Sequence, residues 1–333
     1  MKYISVVACG LLVTSYIPMT QAHEESSTLA SALIKDQSAG QSTKQTSAIK
    51  YAHGNVVKEG EVYRPAWQRN QSTIEQVLSY TYDCAPNLTL RFQSLTEQNI
   101  KDSCALLLDT QTRFQQLFNR QGKPVAHDNN RVLRANIYAS RDDYQTYVTP
   151  HFDVPSNNGG MYLEGLPHLP DNSAEYVAFL RDGKVWNLNH EFVHYLDGRF
   201  NLYGDYCMGL HDNHAGPEYC LKPAPKPPYL TWWTEGIAEY VAHMENNPKA
   251  VALAKHKTYL LSELLYNSGE GWNTDKVYRW GYLAARYMME EQREKVEEML
   301  FFTRQGDFPR YQALVLSWGT SMDEAFNQWL ETL

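Results

Sequence analysis

The sequence predicts an α+β fold of two lobes with a site between them. Three observations carry that expectation. Extended runs such as "RVLRANIYAS" and "AEYVAFLR" occur only in the first half, so a mixed sheet is expected there. From "TWWTEGIAEYVAH" onward the spacing of apolar residues is almost wholly helical. The 333 residues are 43% hydrophobic and 13% aromatic, enough for a sizeable core.

The chain opens on a different kind of segment. Lys2 precedes an apolar run from Ile4 to Ile17, and Thr20-Gln21-Ala22 offers small residues for cleavage. Residues 1–22 therefore read as a signal peptide, and the mature protein is expected to be secreted, extracellular or periplasmic. Ser, Thr, Gln, Ala and Lys dominate the residues that follow, and order is expected only from residue 72. Residues 23–71 are thus a linker or a short pro-segment.

Export bears on the cysteines. Cleavage removes Cys9 and leaves two local pairs, Cys84 with Cys104 and Cys207 with Cys220. Neither pair has C-x-x-C spacing, so two disulfides are expected rather than a structural metal.

"STIEQVLSYTYDC" has a Ser72-Thr73 cap and then a helical apolar spacing. "SLTEQNIKDSCALLLDTQTRFQQLFN" predicts one or two amphipathic helices that bury Leu106, Leu107, Phe114, Leu117 and Phe118. A strand at "RVLRANIYAS" and a helix at "RDDYQTYVTPHF" come next. "NNGGMYLEG", residues 157–165, reads as a turn entering an extended segment. "AEYVAFLRDGKVWNLNHEFVHYLDGRF" gives a strand, a D-G-K turn and a helix. Residues 207–230 are irregular, and helices fill the remainder.

Thirty basic against 38 acidic residues leave a formal charge of −8. With no basic stripe and no mature apolar span, nucleic acid and membrane are poor partners. A monomer acting on a protein or peptide substrate is expected.

The chemistry sits in "HEFVH". On a helix His190 and His194 share a face, and Glu191 lies beside them. Two neutral imidazoles can hold one catalytic zinc, and the carboxylate can take a proton from a water bound to it. Buried neighbours Phe192, Val193, Tyr195 and Leu196 make an unpartnered pair of histidines costly.

The third ligand is not in the H-E-x-x-H-x-x-G-x-x-H pattern, because Asp197 and Phe200 occupy the decisive positions. "TWWTEGIAEY" supplies Glu235 and Glu239, four apart on one helix face. Glu235 is read as the ligand and Glu239 as the support behind a ligand histidine. The reverse assignment and the loop residues His211 or His214 remain open as alternatives. Gly236 is expected to let this helix pack closely on the His helix.

"HEFVHYLDGRFNLYGDY" followed by "WWTEGIAEY" resembles the catalytic domain of the microbial collagenases of the vibrio and clostridial type. "NNGGMYLEG" and "YRWGYLAARYM" look like that family as well, and the resemblance covers about residues 72–333. It implies a thermolysin-like, gluzincin fold with His190, His194 and Glu235 on zinc and Glu191 as general base and acid. It further implies that Gly159 and Gly160 line the rim of the cleft, where substrate backbone pairs with a strand edge. Glu164 would bind a structural calcium ion, helped by carbonyls just after the His helix. Tyr278 or Tyr282 would stabilise the oxyanion, with a place in the aromatic core as the competing role.

Two features depart from the family. About a dozen residues around Cys207 and Cys220 are additional, and no counterpart of its activator or accessory domains is evident. Gelatin and collagen-like peptides are therefore expected as substrates ahead of the intact triple helix. A general peptidase of the same fold, or a non-catalytic matrix-binding module, are the alternatives.

Overall fold

The computed structural model describes residues 71–120, 122–204, 227–268, 271 and 273–333. The expected signal peptide, nearly all of the 23–71 segment, Cys207, Cys220, His211 and His214 lie outside the described residues.

The order of elements is α+β. Helix α1 (Gln71–Val77) leads into a hairpin of β1 (Tyr80–Ala85) and β2 (Leu88–Phe92). Helix α2 (Glu97–Phe118), β3 (Leu133–Tyr138), α3 (Arg141–Phe152), β4 (Met161–Leu163), β5 (Ala174–Arg181) and β6 (Lys184–Val185) follow. The His helix, α4 (Leu188–Asn201), and the Glu helix, α5 (Thr231–His243), come next. Helices α6 (Pro248–Ala254) and α7 (Leu261–Tyr266) then lead to a π-helical turn (Asp275–Trp280). The chain closes with α8 (Gly281–Glu291), α9 (Arg293–Thr303), α10 (Phe308–Trp318) and α11 (Asp323–Leu330).

Local chemistry explains most boundaries. Thr96 caps α2 and forms a reciprocal capping box with Asn99, and Asn119 closes the helix in the left-handed conformation. Ser140 caps α3 through the Asp143 N–H. Ser72 and Thr73, expected as a cap, lie inside α1 instead. Cys84 and Cys104 form the expected disulfide, with Cα atoms 5.2 Å apart, and tie β1 to α2.

The sheet runs β1-β2-β3-β5-β4. β2, β3 and β5 are parallel, whereas β1 and β4 join antiparallel, so the expected mixed sheet is present. Alternation sorts its side chains between two layers. Leu133, Ala135, Ile137, Tyr176 and Ala178 face a core shared with α2, α4, α5 and the C-terminal helices. Tyr138, Val177 and Phe179 face a smaller core under α1 and α3. β4 is an edge strand, paired with β5 alone through Met161–Val177, Tyr162–Tyr176 and Leu163–Glu175.

Candidate active site

Helix α4 follows β6, the second arm of the β5–β6 hairpin, after two residues. Asn187 takes the left-handed conformation (φ 53°) and turns the chain from strand into helix. Most of α4 is buried, so its polar residues must find partners inside the protein. His190 and His194, one turn apart, bring their Nε2 atoms to 3.1 Å. Helix α5 lies alongside and places Glu235 Oε2 3.3 Å from His190 Nε2 and 3.5 Å from His194 Nε2.

These three distances can be compared with a coordination shell. Zinc–ligand bonds of about 2.0–2.1 Å in a tetrahedron put neighbouring ligand atoms about 3.3–3.4 Å apart. His190, His194 and Glu235 are also the group of His, Cys, Asp and Glu residues, among the described residues, whose ligand atoms converge closely enough for a metal ion. The donor set fits a divalent ion of zinc's size with one position left for a small ligand.

Further residues hold this group in place. Glu239 Oε1 lies 3.0 Å from His190 Nδ1, somewhat off the line of an ideal hydrogen bond. Glu239 is itself held by Asn247 Nδ2 at 3.1 Å and by His243 Nε2 at 3.5 Å. Behind the second histidine, the buried carboxylate of Asp197 accepts from Asn201 Nδ2 at 2.7 Å and from the Trp233 indole N–H at 3.1 Å. Asp197 follows His194 by three residues and Trp233 precedes Glu235 by two, so this bond ties the two site helices together.

Electrostatics follow from burial and pairing. Burial works against a charged His190, yet hydrogen bonds to Glu235 and Glu239 outweigh it and hold its pKa well above the usual range. Burial would raise Glu235, but His194 and His190 hold it well below the usual carboxylate range. Glu239 is also lowered, because His190 outweighs its burial. Glu191 differs: burial raises its pKa, against the opposing pull of the two histidines and the Tyr162 backbone N–H. A carboxyl raised in this way holds a proton more readily than an exposed one.

Gly160 lies directly against this carboxyl. A Cβ there would come within 3.0 Å of both Glu191 Oε1 and the Val177 carbonyl. Gly160 thus lets the chain entering β4 close on the Glu191 carboxyl.

A collagenase family model matches residues 48–329 of the chain. The chain belongs to the collagenase family of peptidases. It is 39% identical over 263 residues to a microbial collagenase of Vibrio alginolyticus, a match over 77% of this chain and 30% of the relative. A microbial collagenase of Vibrio vulnificus is 33% identical over 270 residues, 80% of this chain and 32% of the relative. Collagenase ColT of Clostridium tetani is 23% identical over 255 residues, 71% of this chain and 23% of the relative. The chain thus spans about a third or less of the length of these collagenases.

In this collagenase-family chain the structure separates the two candidate tyrosines. Tyr278 lies in the π-helical turn, partly exposed, with its ring centroid 5.8 Å from that of His190. Tyr282 is fully buried, and its hydroxyl donates to the Met244 carbonyl at 2.6 Å. The oxyanion role expected of either tyrosine is therefore corrected for Tyr282, which is a core residue of α8 held against the end of α5. Gly236 is corrected as well. A Cβ there would meet the Gly281 carbonyl at 2.4 Å, so it serves the packing of α5 on α8 rather than on α4.

Glu164 is buried, and its carboxylate reaches α4, where a Cβ on Gly198 would come within 2.8 Å of Oε1. Its backbone carbonyl accepts from Asn172 at 2.8 Å and Asn130 at 3.1 Å. The support from Asn172, Asn130, Asp197 and Trp233 escaped the sequence reading. One available signal was an aspartate three residues after His194 on a largely buried helix. No helix among the described residues is long and apolar enough to cross a membrane.

Proposed function

We propose that this chain is a secreted zinc endopeptidase that hydrolyses gelatin and collagen-like peptides. The convergence of His190, His194 and Glu235 at 3.1–3.5 Å, with the Glu191 carboxyl beside them, carries this reading. Bound zinc would supply Lewis acidity, lowering the pKa of a water and polarising the scissile carbonyl.

The chain's own residues supply the rest. Glu191 accepts the proton of the attacking water and returns it to the leaving amine. Its raised pKa lets it hold that proton between the two steps. Glu239 fixes the orientation of the His190 ring from behind. Tyr278 offers its hydroxyl to the developing oxyanion from the rim. The free edge of β4 pairs with the substrate backbone and draws an extended strand past Gly159 and Gly160.

Three finer readings belong to the same proposal. The fold is of the two-lobed thermolysin-like type, supported by the paired site helices and the edge strand beside them. Glu164 holds a structural calcium ion together with carbonyls near the end of α4, supported by its approach to Gly198. The mature peptidase begins after an amino-terminal signal and linker and acts as a monomer.

The test is hydrolysis of gelatin and of a collagen-like peptide by the mature protein, with and without a chelator, beside Glu191→Ala. Loss of cleavage in both arms is expected. Cleavage that persists in chelator, or a fully active Glu191→Ala variant, would overturn the reading.

A further inference from the structure

The turn that carries Tyr278 has a shape that the proposed chemistry leaves unexplained. Asp275–Trp280 is π-helical, and the Gly281 N–H reaches back five residues to the Lys276 carbonyl. In an uninterrupted α-helix Tyr278 and Tyr282, four apart, would share one face. The wider turn rotates them apart. Tyr282 meets the Met244 carbonyl, while the Tyr278 ring centroid stands 5.8 Å from that of His190. Single π-helical turns are rare, so this one needs a cause beyond its own backbone.

Core packing alone does not supply it. Lys276 and Val277 border a small cavity, lined as well by Thr231, Leu264 and Asn267, which leaves the turn room to repack. One side chain grips the turn at three points instead. Tyr259, half-buried between α6 and α7, meets Trp280 edge to face with ring centroids 5.6 Å apart. Lys276 Nζ lies 5.4 Å from the centroid of the same Tyr259 ring. Asn273 Nδ2 approaches the Tyr259 hydroxyl at 3.5 Å, and Asn273 Oδ1 accepts from the Lys276 backbone N–H at 2.9 Å. Lys276 and Trp280 stand two residues before and two after Tyr278, so the ring of Tyr259 spans the part of the turn that presents it.

We propose that Tyr259 is a positioning residue: by holding Asn273, Lys276 and Trp280 it keeps the turn π-helical and so keeps Tyr278 aimed at the site. The inference rests on the peptidase reading and on the oxyanion role of Tyr278. Without the ring, the turn relaxes to the α-helical pattern and carries Tyr278 toward the face of Tyr282. Metal and substrate still bind, and only the stabilisation of the transition state falls.

The experiment compares Tyr259→Leu, which keeps an apolar side chain but no ring, with Tyr259→Phe, which loses the hydroxyl alone. On a collagen-like peptide Tyr259→Leu should lower kcat roughly ten- to hundredfold, with KM within about twofold of wild type. Tyr259→Phe should restore kcat to within about threefold. In a Tyr278→Phe background Tyr259→Leu should lower kcat no further. A phosphinic peptide, whose tetrahedral oxygen stands in for the oxyanion, should bind Tyr259→Leu more weakly by the factor that kcat falls. A crystal structure of Tyr259→Leu should show the Gly281 N–H on the Val277 carbonyl and Tyr278 turned away from His190. An unchanged kcat, an equal loss in the Tyr278→Phe background, or an intact π-helical turn in the crystal overturns the positioning role. Failure of the wild-type protein to hydrolyse the peptide would overturn the peptidase reading, and a fully active Tyr278→Phe variant the oxyanion role. In either case the crystal structure still decides whether Tyr259 holds the turn.

Discussion

Two buried polar clusters flank β5, and they are balanced in opposite ways. On the sheet face under α1 and α3, Arg91 donates to Asn136 at 2.7 Å and Gln71 at 2.7 Å and pairs with Glu175 at 3.2 Å. Arg134 approaches the same Glu175 oxygen at 3.6 Å. Burial lowers the Arg91 pKa to about 10, against the pull of Glu175, so the guanidinium stays charged at neutral pH. Across the sheet, Glu191, Glu235 and Glu239 converge on two imidazoles. The first cluster carries its own counter-charges on permanently cationic side chains. The second offers three carboxylates only histidines, which can give up their protons to a metal. A buried cluster that neutralises itself is architecture, whereas one left with excess acceptors points to a ligand.

The largest expected difference between the clusters is in activity. Glu191→Ala should lower kcat/KM on a collagen-like peptide by roughly 10²–10⁴-fold, while metal content by elemental analysis stays at one ion per chain. Arg91→Met, measured in the same assay, should stay within a few-fold of wild type. A comparable loss in both variants would erase the difference between the two clusters.

Stability should show the reverse. Arg91→Met removes the nearer counter-charge of the buried Glu175, leaving the half-exposed Arg134 at 3.6 Å, and should cost about 3–5 kcal/mol in denaturant unfolding. Replacing both partners, as in Arg91→Met with Glu175→Leu, should recover much of that loss. If the double variant is no better than the single one, the pair is not the self-contained unit its geometry suggests.

Metal removal should then separate the clusters thermodynamically. Zinc at 100 times its dissociation constant adds about 2.7 kcal/mol to a protein that binds it only when folded. Wild type and Arg91→Met should show the same zinc-dependent rise in Tm. Glu235→Ala should lose most of it. A rise that survives in Glu235→Ala would assign the ligand role elsewhere, with Glu239 the first place to look.

What could be read from the sequence divides along the same physical line. The His helix was legible because its chemistry is local: an i, i+4 spacing places two side chains on one face whatever surrounds them. Glu235 was legible because a second amphipathic helix carried an acidic pair at the same spacing. The β1–β2 hairpin was not, because β1 is an edge strand whose residues Tyr80 to Asp83 are all exposed, and no apolar alternation marks it. The choice between Tyr278 and Tyr282 was not legible either. They lie four apart, but a π-helical turn gives way to α8 between them, and only the fold shows that one faces His190 and the other Met244. Gly236 was recognised as a close-packing position, yet its partner, Gly281, lies 45 residues away and leaves no local sign.

The smallest expected effect concerns Asp197, which belongs to neither kind of cluster. Its carboxylate is fully buried, is neutralised by no direct ion pair among the described residues, and relies on Asn201 and Trp233 for hydrogen bonds. Burial raises its pKa to about 6, against the pull of those two donors and of His194. In an unfolded chain an aspartate titrates near 3.9. Between these values the folded state holds the proton more tightly, so the residue's contribution to stability declines as pH rises from about 4 to about 6. The burial cost is fully present at pH 7.5 and absent well below pH 4. Asp197→Asn keeps an acceptor oxygen for Asn201 and Trp233 but cannot ionise. Its Tm relative to wild type, measured on chelated protein so that metal does not vary, should be a few °C higher at pH 7.5 than at pH 4.5. A difference independent of pH would show that the carboxylate is held as a fully compensated charge, placing Asp197 with the self-balanced sheet cluster rather than between the two.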